Sequence, residues 1–153
     1  MQIDTMTIDN EANTTLTVYL HEEKPEFHRI DKRPFILVIP GGGYGFCSER
    51  EAEPIALKFA AEGYHTGVLR YHVGEHRDFH KALADAEKSM DLIALLAEKA
   101  KIDQSKVAVI GFSAGGHLAA ALSTLSDRKP SACILAYPAI LSSFAEAMKI
   151  KAP

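Results

Sequence analysis

Residues 111–115 read Gly111-Phe112-Ser113-Ala114-Gly115, a serine with a glycine two positions to either side. The pattern is short, but its surroundings are specific. An apolar run, Val107 to Ile110, precedes it, and a helix-forming stretch begins at Gly116. A strand that turns straight into a helix lifts the serine hydroxyl above the strand ends and sets it beside the helix N-terminus. Side chains two residues either side of such a serine would collide, which is the work of the glycines. Ser113 is therefore a candidate nucleophile; the plainer reading is a helix cap. A second pattern, Pro40-Gly41-Gly42-Gly43-Tyr44, follows the apolar run Phe35 to Ile39. A glycine-rich loop directly after a strand can aim backbone N–H groups at an anion. Beside an acylating serine, that anion is the oxygen of a tetrahedral intermediate. Its donors would be the N–H groups of Gly42, Gly43 and Ala114. A nucleotide loop fits less well. Gly-x-Gly-x-x-Gly fails at Phe46 in one register and at Ser48 in the other, and no Gly-Lys-Ser/Thr follows.

These residues need elements to hold them. Leu16 to Leu20 reads as a short strand and His21 to Arg33 as a connection. Phe35 to Ile39 is an unbroken apolar run, the signature of a strand covered on both faces. Glu49 to Glu62 has helical spacing through Ile55, Ala56, Phe59 and Ala60, with Gly63 as its stop. Thr66 to Tyr71 is a second apolar strand. Asp78 can cap a helix to about Ala100, with Leu83, Ala86, Met90, Ile93 and Leu96 as its inner stripe. Lys106 to Phe112 is a strand, Ala114 to Leu125 a helix, Ala132 to Tyr137 another strand, and Ser142 to Lys149 the start of a further helix. Alternation of this kind predicts an α/β fold, a three-layer sandwich around a mainly parallel sheet. With no repeat, linker or low-complexity tract, residues 1–153 read as one domain.

Composition narrows the class. The 153 residues are 47% apolar and 24% charged, with net charge −3, ordinary values for a globular chain. A pI near 6.1 gives no basic footprint for nucleic acid. The longest apolar stretch, near Ala132 to Leu141, is broken by Pro138 and falls short of the ~20 residues a membrane helix needs. Met1 to Asn10 has neither the basic start nor the apolar run of a secretory signal. Two cysteines make no disulfide framework. The expectation is a cytoplasmic protein with no membrane or nucleic-acid partner.

Together these motifs resemble the α/β-hydrolase fold, in its esterase/lipase branch with acetyl-esterase and xylan-esterase-like enzymes. The resemblance rests on Val38-Ile39-Pro40-Gly41-Gly42-Gly43-Tyr44, Leu69-Arg70-Tyr71, Gly111 to Ala119, and Tyr137-Pro138. The chain departs from the lipase-type pattern at Pro40, where His often precedes the glycines. The resemblance implies hydrolysis of small acyl esters such as acetylated sugars, with Ser113 as nucleophile and no cofactor or metal. It also implies an acid and a histidine base after the serine. The chain runs only 40 residues past Ser113, offering Asp127, Glu146 and His117. His117, four residues into the helix, is expected to pack around the elbow rather than over the serine. The strands that carry the family's acid and base are absent, so the expected fold is an incomplete α/β-hydrolase domain. Such a chain is expected to be a fragment with little activity alone, since loss of the base costs about 10⁴-fold.

Three other readings compete. His72-Val73-Gly74-Glu75-His76 matches the His-x-x-Glu-His zinc pattern, but ligation there needs a helix and Gly74 favours a loop. One of His72, His76 and His80 could instead approach Ser113 from the strand ends. A chain without acid and base could also be a non-catalytic binding or scaffold protein. Ala132 to Tyr137, lacking a neighbour, would be an apolar edge prone to homodimer pairing. Cys133 is expected to be a buried small hydrophobe and Cys47 a packing residue near the glycine loop. Arg50, Glu51 and Glu53 read as surface residues opening a helix, and the resemblance implies that this segment packs under the glycine loop without a chemical role.

Overall fold

The computed structural model describes residues 1–27 and 30–140. Six strands form one sheet in the order β1-β2-β4-β3-β5-β6. They are β1 Gln2–Asp9, β2 Thr14–Leu20, β3 Arg33–Ile39, β4 His65–Arg70, β5 Ile102–Phe112 and β6 Ala132–Ala136. β4, β3, β5 and β6 run parallel, while β2 lies antiparallel to both β4 and β1. The helices are α1 Glu53–Ala61, α2 Phe79–Ala100 and α3 Ala114–Leu125. The three-layer, mainly parallel arrangement is the expected one.

Period-2 alternation explains the layers. Phe35, Leu37 and Ile39 of β3 pack with Ala82, Ala86 and Ile93 of α2 and with Leu118 and Leu122 of α3. Ile36 and Val38, the intervening residues, pack with Ala56 of α1, Val68 and Ile110 on the opposite face. Both faces of β3 are thus covered, which is why its sequence shows no polar alternation.

Several boundaries and contacts differ from the sequence reading. β1 is an added strand with little apolar character. It is held by pairing with β2, and the Asp9 carboxylate closes the turn by accepting the Glu11 and Ala12 N–H groups. Glu49–Glu51 is a separate 3₁₀ turn ahead of α1. Asp78 caps α2 as expected, accepting the Lys81 N–H at 3.0 Å. Of the expected stripe, Ala86 and Ile93 are buried and Leu83, Met90 and Leu96 pack partly buried against the same core, while Phe79, Ala82, Asp85, Ser89 and Ala97 complete the buried line. Small residues let the helix approach closely, and the large ones fill the margins. Cys133 is exposed, not buried, because β6 is the edge strand of the sheet among the described residues. Ser142 to Lys149 and Glu146 lie outside the described residues.

Candidate active site

β5 ends at Phe112 and α3 begins at Ala114, so Ser113 alone makes the turn. Its backbone has φ 50° and ψ −114°, a region that L-residues occupy at a cost of about 1–3 kcal/mol. The surroundings hold it there. The Ser113 N–H donates to the Ala136 carbonyl at 3.0 Å, and the Ser113 carbonyl accepts the N–H groups of His117 and Ala139, each at 3.0 Å. A Cβ at Gly111 would lie 2.3 Å from the Gly115 carbonyl oxygen, and one at Gly115 would lie 2.2 Å from that of Ile39. The two glycines are therefore required by close approach of backbone to backbone. Ser113 makes no side-chain cap bond, so the helix-cap reading fails. Its half-buried hydroxyl has no hydrogen-bond partner among the described residues.

The glycine loop leaves β3 against this turn. A Cβ built on Gly41 would stand 3.1 Å from the Ser113 Cβ. Gly42, Gly43 and Tyr44 then follow with φ of 127°, 62° and 57°, a path that only glycine takes without strain. The loop is pinned by its backbone. Tyr71 Oη donates to the Pro40 carbonyl at 2.8 Å, the Gly41 carbonyl accepts the Ser48 N–H at 2.9 Å, and the Tyr44 carbonyl accepts the Gly74 N–H at 2.8 Å. Among the described residues, the N–H groups of Gly42 and Gly43 bond to no protein acceptor. Ala114 is buried as the first residue of α3.

No histidine reaches the serine hydroxyl among the described residues. His117 is tied to Tyr44 Oη at 2.9 Å through Nδ1, and its ring packs on Tyr44 and Phe79. Burial lowers its pKa. It serves packing, as expected. His72 is buried elsewhere: its Nδ1 lies 2.7 Å from Asp85 Oδ2, which also accepts the His72 N–H at 2.9 Å. Burial pushes the Asp85 carboxyl up, and the bonds to His72 oppose that. His76 pairs with Glu75 at 3.6 Å, and His80 meets the Phe79 ring edge-on. Gly74–His76 forms a 3₁₀ turn rather than an α-helix, so the two histidines of the His-x-x-Glu-His pattern share no helix face. No metal-holding cluster of three acids, histidines or cysteines occurs among the described residues. Burial raises the Cys47 thiol to about 11, and Cys47 packs against the core. Asp127 is exposed, beyond the far end of α3.

The Glu51 segment lies against the glycine loop, as the resemblance implies, but the bonds that Glu51 and Tyr137 make there carry no signal in the sequence. Glu51 Oε2 accepts the Gly41 N–H at 2.9 Å, and Tyr137 Oη donates to Glu51 Oε1 at 2.7 Å. Tyr137 also packs on Phe112, and Pro138 abuts Gly116. Two cavities of about 300 and 310 Å³ lie at the opposite end of the sheet, near Arg33, His65 and Lys101 in one case and Gln2 and Leu96 in the other. Neither includes Ser113.

A mostly parallel sheet with helices on both faces and a Gly-x-Ser-x-Gly turn joining strand to helix defines the α/β hydrolases, here in incomplete form. Comparison with known proteins gives the same class and a narrower group. The BD-FAE family model matches residues 18–147, and the chain belongs to that family. Among solved structures it is similar to MGS-M1, an α/β-hydrolase enzyme from a Medee basin deep-sea metagenome library. That match has 48% identity and TM-score 0.86 and covers 90% of this chain and 57% of that one. It is also 33% identical over 141 residues to endo-1,4-beta-xylanase B of Butyrivibrio fibrisolvens, covering 82% of this chain and 21% of that protein. To the acetylxylan esterase of Xylanibacter ruminicola it is 32% identical over 108 residues, covering 69% and 22%. The chain thus spans about a fifth of these curated relatives and little more than half of the solved one.

Proposed function

We propose that this chain is the nucleophile-bearing part of a hydrolase acting on small carboxylic esters, with acetylated sugars as the substrate class. The observation that carries the reading is the strained turn at Ser113 with the glycine loop packed against it. Ser113 Oγ attacks the ester carbonyl carbon, and its proton passes to a base. The oxygen of the tetrahedral intermediate takes hydrogen bonds from the N–H groups of Gly42, Gly43 and Ala114. Collapse breaks the bond to the alcohol, which leaves with the proton. Water then releases the acid from the acyl-serine by the same route. No cofactor is needed for these steps. No histidine among the described residues reaches Ser113, so in this reading the base and the acid that orients it come from outside them, and the chain alone is nearly inactive. The names of the acetylxylan esterase and xylanase relatives support the sugar-ester class. We place the protein in the cytoplasm as a single domain. Both cysteines are free, and no helix among the described residues is long and apolar enough to cross a membrane.

The test is a fluorophosphonate probe, followed by mass analysis of the labelled peptide, with acetate release from acetylated xylo-oligosaccharides measured in parallel. Slow labelling confined to Ser113 and lost in Ser113→Ala is the expected result. Absence of labelling at high probe concentration, together with no Ser113-dependent acetate release, favours the second reading. In that reading the chain is a non-catalytic scaffold that pairs through β6. The exposure of Ile134 (45%) and Leu135 (39%) on that edge supports it.

A further inference from the structure

We infer that Glu51 is a positioning residue, whose carboxylate clamps the glycine loop to the segment that braces the serine turn. The inference rests on the reading of Ser113 as nucleophile for its catalytic consequence, but not for its geometry. Three consecutive glycines lose more backbone freedom on ordering than any other tripeptide. A loop of this kind holds its N–H groups in one direction only if it is anchored from outside. Its other anchors are neutral backbone or tyrosine contacts. Glu51 supplies a charge-assisted one, a class of bond about twice as strong as neutral pairs.

The local fold brings the carboxylate back to the loop. Ser48 N–H closes the turn onto the Gly41 carbonyl at 2.9 Å, and Glu49–Glu51 then makes one 3₁₀ turn, in which the Glu51 N–H donates to the Ser48 carbonyl at 3.1 Å. Glu51 Oε2 thereby meets the N–H of the same residue, Gly41, whose carbonyl Ser48 holds. Both ends of residue 41 are fixed by one short strap. The other carboxylate oxygen accepts Tyr137 Oη, from the segment that follows β6. That segment sets the turn: Ala136 and Ala139 hold the Ser113 backbone, and Tyr137 packs on Phe112. One carboxylate therefore fixes the spacing between the loop that carries Gly42 and Gly43 and the turn that carries Ser113. A displacement of about 1 Å in such a constellation can cost 10²-fold in rate.

The experiment compares Glu51→Ala, Glu51→Gln and Tyr137→Phe with the unaltered 153-residue chain. It reads amide-proton shifts and hydrogen exchange of Gly41, Gly42 and Gly43 by NMR, Ser113 labelling by a fluorophosphonate, and the thermal midpoint. In Glu51→Ala, exchange at Gly41 rises at least about 10-fold and Ser113 labelling falls about 10- to 100-fold. The loss is in the maximal labelling rate rather than in the half-saturating probe concentration. Glu51→Gln can still accept from Gly41 and donate to Tyr137, so it restores labelling to within about threefold. Its Gly41 amide proton moves upfield as the charged acceptor becomes neutral. Tyr137→Phe gives an intermediate loss. The inference is overturned if Glu51→Ala leaves Gly41 exchange within about twofold, or if alanine and glutamine variants lose labelling equally. It is also overturned if the Gly41 proton does not respond to Glu51→Gln, a measurement that does not require the alanine variant to fold. If the unaltered chain takes no label at all, the nucleophile reading fails while the exchange data still decide the clamp.

Discussion

Ser113 bears a backbone conformation that glycine would occupy freely, and that gives its hydroxyl a measurable cost. Ser113→Gly is expected to raise stability by about 1 kcal/mol in urea unfolding while removing all labelling. An unchanged or lowered midpoint would show that the turn is not strained. His65 gives a second test at this scale. It is 1% exposed, its Nδ1 accepts the His21 N–H at 3.1 Å, and burial lowers its pKa from 6.5 to about 4. Between those values the unfolded chain binds the extra proton. Stability is therefore complete above about pH 6.5 and is lost as pH falls toward 4, by on the order of 3 kcal/mol. His117, also lowered by burial, acts in the same sense, whereas Asp85, raised by burial, acts in the opposite one. Urea midpoints across that range should slope less steeply in His65→Gln, and an equal slope would assign the loss elsewhere. Ser113 and its glycines were legible in the sequence because their constraint is local, confined to five residues. Glu51 was not. Its partners are a backbone N–H ten positions back and a hydroxyl 86 positions on, and neither leaves a period or a motif.

Turns that pack backbone on backbone govern the elements. Gly115→Ala would place a Cβ 2.2 Å from the Ile39 oxygen and 2.4 Å from that of Pro40, so α3 would have to move off β3. A loss of about 2–3 kcal/mol is expected, with Ser113 labelling reduced. Gly45→Ala meets nothing nearer than the Gly42 oxygen at 3.4 Å and should stay within about 0.5 kcal/mol. Thermal denaturation of the pair separates close approach from a general intolerance of the loops. β3, β4 and β5 were readable because strands buried on both faces carry continuous apolar runs. β1 escaped because it buries little, and its stability comes from pairing with β2 rather than from its own residues. The apolar stripe of α2 marks the right face of the helix, with Ala86 and Ile93 buried, but not the small and polar residues that complete its centre. Ala82, Ser89 and Ala97 are buried there beside Phe79 and Ile93, and Leu83, Met90 and Leu96 line the flanks.

Across the whole molecule the sheet is unequal at its two rims. β1 is polar, whereas β6 presents Ile134 and Leu135 at an edge that no strand among the described residues covers. Unpaired apolar edges recruit other chains. The 153-residue chain is expected to self-associate in sedimentation velocity at about 100 μM, and Ile134→Lys to shift it toward monomer. A monomer at that concentration would show that β6 is not adhesive. The parallel architecture was legible from the alternation of strands and helices. Whether a histidine approached the serine was not, because that depends on where loops travel after leaving a strand. The same rim governs timing. Ser113 is fastened by Ala136 and by Ala139, both more than twenty residues downstream. A ribosome that has released only as far as α3 has therefore delivered the hydroxyl without the fastenings that bend it outward. On the proposed reading of Ser113 as nucleophile, a polypeptide that ends before residue 139 is expected to lack both fastenings and to carry an ordinary serine.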